Sequence, residues 1–243
     1  MQINAANIHN AHEPGTAELI AATLAHLSSH FLTLDQLACA VGLTQDEVNA
    51  LIDAKCMPPH SHEIRLSIEV NTTLWGSQRH QAANKFYSPS LVRWANHALE
   101  LAPMPLSEIA LVVRNRFLND LRESLLKVPG AREANPDCFG QDGGLVEAAF
   151  ATWGESHLSY LLDGTYCICL KEVSANNIVR KGTCMSILKR YLDDSSGTSV
   201  TDHEVEWALT EYDAVASLFL PAERAGSSRT RLFEAARKKF CCA

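Results

Sequence analysis

The sequence predicts a mainly α-helical fold, with a winged helix-turn-helix in its first half and a helical C-terminal domain carrying one short strand or extended segment in its second. Three observations predict it. Apolar residues return every three or four positions through most of the 243 residues, and capping residues stand in front of those runs. A two-residue alternation marks the stretch from Ile64 to Val70.

In chain order, Leu19, Ile20, Leu24 and Leu27 give a first amphipathic helix between Thr16 and Leu27. Thr33 with Gln36, and Thr44 with Glu47, each fit a capping box, in which two side chains satisfy the free amides of a helix's first turn. Gly42 lies between them and suits a tight turn, because it tolerates positive φ. Met57-Pro58-Pro59 stops the second of these helices. Ile64, Leu66, Ile68 and Val70 then alternate with Arg65, Ser67 and Glu69 in the period of a half-buried strand, which reads as a wing.

Ser88-Pro89 starts the next helix, with Leu91, Val92, Ala95, Ala98 and Leu99 on its buried face. Pro103 and Pro105 end it, and Ser107 opens another through Leu126. Pro129 to Gly144 gathers Pro, Gly, Asn and Asp and reads as a linker or long loop. It separates two expected domains, residues 1–128 and 145–243. Beyond it come a helix from Leu145 to Leu162, a strand or extended piece from Thr165 to Val173, and a helix from Ser174 to Leu192. Asp193 to Thr198 is a polar loop. Thr201 with Glu204 opens a helix to Phe219, and Ser227 or Ser228 caps a last one to Lys239.

Composition limits function. A net charge of -7 places any grip on nucleic-acid backbone on a local basic patch. No apolar run approaches the roughly 20 residues of a membrane-spanning helix, and Met1 to Glu13 lacks the pattern of a secretion signal. The expectation is a cytoplasmic protein with no membrane partner. The eight cysteines are then mainly reduced thiols. Cys241 and Cys242 read as a frayed tail.

Two resemblances enter here. The order "LTLDQLACAVGLTQDEVNALIDAKCMPP", a strand-like stretch, "FYSPSLVRWANHALEL" and "PLSEIALVV" resembles the winged helix-turn-helix of MerR-type regulators over roughly residues 31 to 120. It implies a winged helix, and in its regulatory version a DNA-binding protein that senses a metabolite. "LLDGTYCICLKEVSANNIVRK" followed by "YDAVASLFLPAERAGSSRTRLFEA" resembles a bacterial family known as natural product biosynthesis proteins. That implies a setting in secondary metabolism, as an accessory or tailoring protein, with no defined reaction.

The residues argue against DNA. A helix in the major groove sits between phosphate rows and favours Arg, Lys, Asn and Gln. The Thr44 to Lys55 helix instead offers Asp46, Glu47 and Asp53 against Lys55, with Gln45 and Asn49 as remaining base readers. Arg65, Arg79, Lys85 and Arg93 are the available backbone grips. The fold then serves a protein partner or a structural role.

Candidate chemistry concentrates in the C-terminal half. Glu223-Arg224-Ala-Gly-Ser-Ser228-Arg229 puts guanidinium forks and hydroxyls at a helix start, which suits a phosphate or carboxylate. The alternative is a helix cap with Arg224 paired to Asp213 or Glu223. Tyr166 and Cys169 complete the expected binding set, with Arg224, Ser228 and Arg229, for an anionic small molecule or a carrier-linked substrate. Lys181 and Glu223 are the candidate acid-base groups, for an enzyme whose reaction the sequence does not name. Cys167 and Cys169 fall on one face if the segment is a strand, and core packing outweighs metal binding for them. Cys56, His60 and His62, with Cys39 or His80, could close around zinc, yet no second paired motif supports it. No Walker loop, dinucleotide glycine motif or HExxH helix is present, so no cofactor is named.

Overall fold

The computed structural model describes residues 16–193 and 200–242. Met1–Glu13 and most of the polar loop expected at Asp193–Thr198 lie outside the described residues.

The described residues are mainly helical, with one small antiparallel sheet. Helix α1 (Thr16–His30) leads through β1 (Leu32–Thr33) into α2 (Leu34–Val41) and α3 (Gln45–Asp53). Both expected capping boxes form. Gln36 N donates to Thr33 Oγ1 at 3.3 Å while Thr33 N donates to Gln36 Oε1 at 2.9 Å. Glu47 N and Thr44 N make the same reciprocal pair at 3.2 and 2.8 Å. Gly42 closes α2 at φ 71, a conformation a side chain would strain.

The strands β2 (His62–Thr72) and β3 (Gly76–Tyr87) form a hairpin, and the sheet order is β1-β3-β2. Its register runs unbroken from His62 opposite Phe86 to Thr72 opposite Gly76. The expected half-burial holds only at the base. Every residue from Ser67 to Lys85 is exposed, because the hairpin runs past the body and both of its faces meet solvent. Ile68 is 56% and Trp75 77% exposed.

Helices α4 (Leu91–Glu100) and α5 (Leu106–Lys127) follow. The α5 positions Ile109, Val113, Phe117, Leu121 and Leu125 recur every four residues and are buried. Each such side chain contributes about 1.5–3 kcal/mol relative to exposure, which makes α5 the central strut. The stretch expected as a linker is instead folded: α6 (Ala131–Ala134) and a 3₁₀ turn at Pro136–Cys138 drive Ala131 and Cys138 into the core, and Phe139 bridges Leu145. Its Pro, Gly and Asn residues shape short turns that apolar anchors hold down.

The second half holds α7 (Glu147–Leu162), α8 (Thr165–Cys169), α9 (Ala175–Leu192), α10 (Asp202–Val215) and α11 (Ala235–Cys241). Helix α8 corrects the strand expected from Thr165. A five-residue alternation is too short to separate strand from helix, and Gly164 at φ 86 turns the chain directly from α7 into α8. A Cβ there would lie 2.9 Å from the His60 carbonyl oxygen, so glycine also permits close approach to the segment after α3. Extended structure survives only around Leu170, which bridges Ala216. That bridge also explains why α10 stops at Val215 rather than Phe219: Ala216 turns extended, at ψ 135, to reach Leu170. At the last helix Ser227 takes the capping role, accepting from Thr230 N at 3.3 Å. A π-helical stretch, Arg229–Glu234, then runs into α11.

One apolar cluster runs from Leu37 and Val48 through Phe117 and Leu161 to Val179, crossing the segment between the two expected domains. A second joins α9, α10 and the last helix around Leu188, Tyr212 and Phe233. No helix among the described residues is long and apolar enough to cross a membrane.

Candidate ligand-binding site

Helices α4 and α5 each place a polar stripe at the spacing that shares one helical face. On α4 it is Arg93, Asn96, His97 and Glu100; on α5 it is Arg116 and Asp120, beside Val113 and Phe117. The stripes face each other across a cleft of about 540 Å³, closed at one end by Val173, Ser174 and Ala175 at the start of α9.

Several contacts pin that end in place. Trp94 Nε1 donates to the Val173 carbonyl at 2.9 Å, and Val173 N donates to Ser90 Oγ at 3.2 Å. Ser174 caps α9 by accepting from Asn177 N at 3.3 Å. The first-turn amides before Asn177 have no carbonyl within the helix to bond, and the helix dipole adds partial positive charge there.

The charges of the cleft are unevenly matched. Arg93 is paired with Glu172, and His97 Nδ1 lies 3.4 Å from Glu100. Arg116 has no carboxylate within ion-pair distance among the described residues; its Nη1 lies 2.7 Å from His97 Nε2. Asp120 likewise makes no ion pair among them. A guanidinium without a carboxylate partner, in a cleft that a helix N-terminus also lines, suits an anion. Asp120 and Asn96 suit an adjacent N–H donor, and Trp94 and Phe117 give an apolar wall. A second cavity, of about 270 Å³ between Met57, Leu111 and Leu161, is largely apolar, and its Arg114 is already paired with Glu155.

The residues singled out in the sequence lie elsewhere and separate into three places. Arg229 is 8% exposed: Nη1 donates to Asp213 at 2.9 Å, Nη2 faces the Ala216 carbonyl at 3.3 Å, and its guanidinium carbon lies 5.1 Å from the Phe233 ring centre. Ser228 bonds the Tyr212 hydroxyl at 2.7 Å. Arg224 is exposed in a 3₁₀ turn, so Arg224 and Arg229 do not form a joint clamp, and Arg229 is engaged inside the protein.

Lys181 and Cys169 do come together. The buried Lys181 amine donates to the Cys169 carbonyl at 3.1 Å and lies 5.7 Å from the Phe219 ring centre. Beside them Tyr166 bonds His157 Nδ1 through its hydroxyl. Burial raises the Tyr166 pKa and lowers that of His157 to about 4, which keeps both neutral. Burial likewise pushes the Cys167 thiol up to about 12, as suits packing rather than nucleophilic work.

Glu223 stands apart, 3.8 Å from His62 Nε2. Desolvation raises its pKa and holds His62 down at about 4. His62 packs edge-on against Phe31, in a small cluster of Leu27, Phe31, Phe86 and Leu220. Among the described residues no three His, Cys, Asp or Glu side chains are placed to hold a metal ion. Cys56 instead points its thiol at the Leu106 carbonyl, 3.3 Å away.

Sequence reasoning missed the cleft. The signal was present as two successive stripes at i, i+3, i+4 and i+7, but nothing in the sequence says that they face each other. Comparison with known proteins places residues 131–241 as similar to a family of unknown function, DUF6058. That stretch includes the α9 end of the cleft, whereas α4 and α5 lie before it. No curated protein and no solved structure matches the chain.

Proposed function

We propose that the protein binds an anionic small molecule, or the anionic end of a carrier-linked substrate, in the cleft between α4, α5 and the start of α9. It serves as an accessory or tailoring protein of bacterial secondary metabolism, the setting implied by the sequence resemblance. The carrying observation is Arg116, a guanidinium without a carboxylate partner among the described residues, lining the same 540 Å³ cleft as the start of α9. A cation so placed gains most from an incoming phosphate or carboxylate.

We read the α2-turn-α3 pair, the hairpin, α4 and α5, on the sequence resemblance, as a MerR-like winged unit turned to another use. Asp46, Glu47 and Asp53 are all exposed on α3. Arg65 and Arg79 in the hairpin are paired with Glu63 and Glu69, and Arg93 with Glu172. Carboxylates in that position repel a phosphate backbone.

Thermal-shift and calorimetric titrations with inorganic phosphate, phosphopantetheine and free amino acids test the reading. The expected result is saturable stabilisation that Arg116→Ala removes and Arg224→Ala leaves intact. Responses unchanged in Arg116→Ala, or none to any of these probes, defeat it.

A further inference from the structure

The β2 strand is an edge. The sheet order leaves one side of it without a paired strand among the described residues over all 11 positions, about 37 Å at the usual rise per residue, with the body packed against it only at its base, at His62 and Ile64. Edges of this length are normally blunted by proline, a bulge, charged side chains or a covering element, since they template pairing with another strand. His62–Thr72 has no proline, and its register shows no bulge. It also carries exposed apolar residues, Ile68 at 56% and Val70 at 44%.

The sequence of that edge complements itself. In an antiparallel pair, opposite residues lie on the same face of the sheet. Turning His62–Thr72 about a two-fold axis at Ser67 sets Arg65 opposite Glu69 of the second copy. The same operation sets Leu66 opposite Ile68 and Ile64 opposite Val70. Shifting the centre to Leu66 would oppose Glu63 with Glu69, two like charges. Centring on Ile68 leaves Arg65 opposite Asn71 and Glu69 opposite Ser67. Centres between residues set apolar side chains against polar ones. Only the Ser67 register satisfies both faces, and two-fold symmetry makes every favourable pair occur twice.

We propose that β2 pairs antiparallel with β2 of a second copy of this chain about Ser67, joining two three-stranded sheets into one of six strands. The apolar stripes of the two hairpins then run together, and the Glu63-Arg65 and Glu69-Arg79 ion pairs on the other face extend into one network across the axis. This interface lies in the hairpin and is independent of the ligand cleft.

Sedimentation velocity on the full chain over micromolar concentrations tests the pairing, with a reversible dimer expected. Arg65→Glu and Glu69→Arg each weaken it about tenfold, since each sets like charges opposite one another twice. Combining the two restores opposite charges across the axis and binds more tightly than either single variant, short of the native chain because the exchange also sets like charges beside Glu63 and Arg79 within each hairpin. Ile68→Lys abolishes the dimer; should that variant misfold, the charge exchanges at exposed positions still decide. In a chain with the exposed Cys39, Cys241 and Cys242 replaced by serine, Ser67→Cys forms a disulfide-linked dimer on mild oxidation and Asn71→Cys does not. A monomer at every concentration overturns the proposal, whatever else covers the edge. So does a dimer indifferent to Arg65→Glu, Glu69→Arg and their combination.

Discussion

Arg229 and Arg116 share a side chain and differ in everything around it. Arg229 sits inside the second core, held by Asp213 and the Ala216 carbonyl and packed over Phe233. Arg116 is exposed in the cleft against His97 and has no carboxylate partner among the described residues. The histidines divide the same way, with His157 and His62 enclosed and His97 lining the cleft. A charged group that the fold has already satisfied supports architecture. One that the fold has positioned and left open is available to a ligand.

Acid is the strongest way to probe the enclosed side of that comparison. His62 and His157 have folded-state pKa values near 4, below the ordinary 6.5, because burial penalises the imidazolium. Unfolding therefore takes up protons. Their contribution is complete above pH 6.5 and is lost as the pH falls toward 4, by up to roughly 3 kcal/mol for each. Urea denaturation between pH 7 and 4 should show the loss, and His157→Gln should reduce it. A flat profile would place both rings in water.

Arg229→Ala comes next, with an expected loss of about 2 kcal/mol from removing a buried guanidinium that packs over Phe233 and bonds the Ala216 carbonyl and the exposed Asp213 carboxylate. Denaturation midpoints measure it, and native-like stability would erase the distinction drawn above. Tyr166→Phe removes the hydroxyl bonded to His157 and should cost about 1 kcal/mol. Arg116→Ala has the smallest effect on stability, within about 0.5 kcal/mol as for an exposed position, although it removes the ligand response. An Arg116→Ala chain that unfolds as easily as Arg229→Ala would make Arg116 a structural residue.

Local chemistry was legible in advance. The Thr33-Gln36, Thr44-Glu47 and Thr201-Glu204 capping boxes, the Gly42 turn and a helix from about Ser107 through Leu126 all formed as read. They rest on contacts within one turn of helix, which residues three or four apart decide among themselves. Strand β3 escaped notice because Gly76 to Lys85 is polar and wholly exposed, leaving no buried face to impose an alternation. Thr165 to Cys169 misled for the opposite reason: its alternation was too short to outweigh the turn at Gly164.

The candidate site shows where that reach ended. The sequence by itself placed Arg93, Asn96, His97 and Glu100 on one helical face, and Arg116 and Asp120 on another, through the 3.6-residue period alone. Tertiary packing alone decided that those faces meet beside the start of α9, and that Arg229 turns inward to Asp213 while Arg116 stays open. Helical spacing fixes the direction of a side chain from its own axis, but which group awaits it depends on long-range apolar packing, where Trp94, Phe117 and Val173 meet from distant parts of the chain.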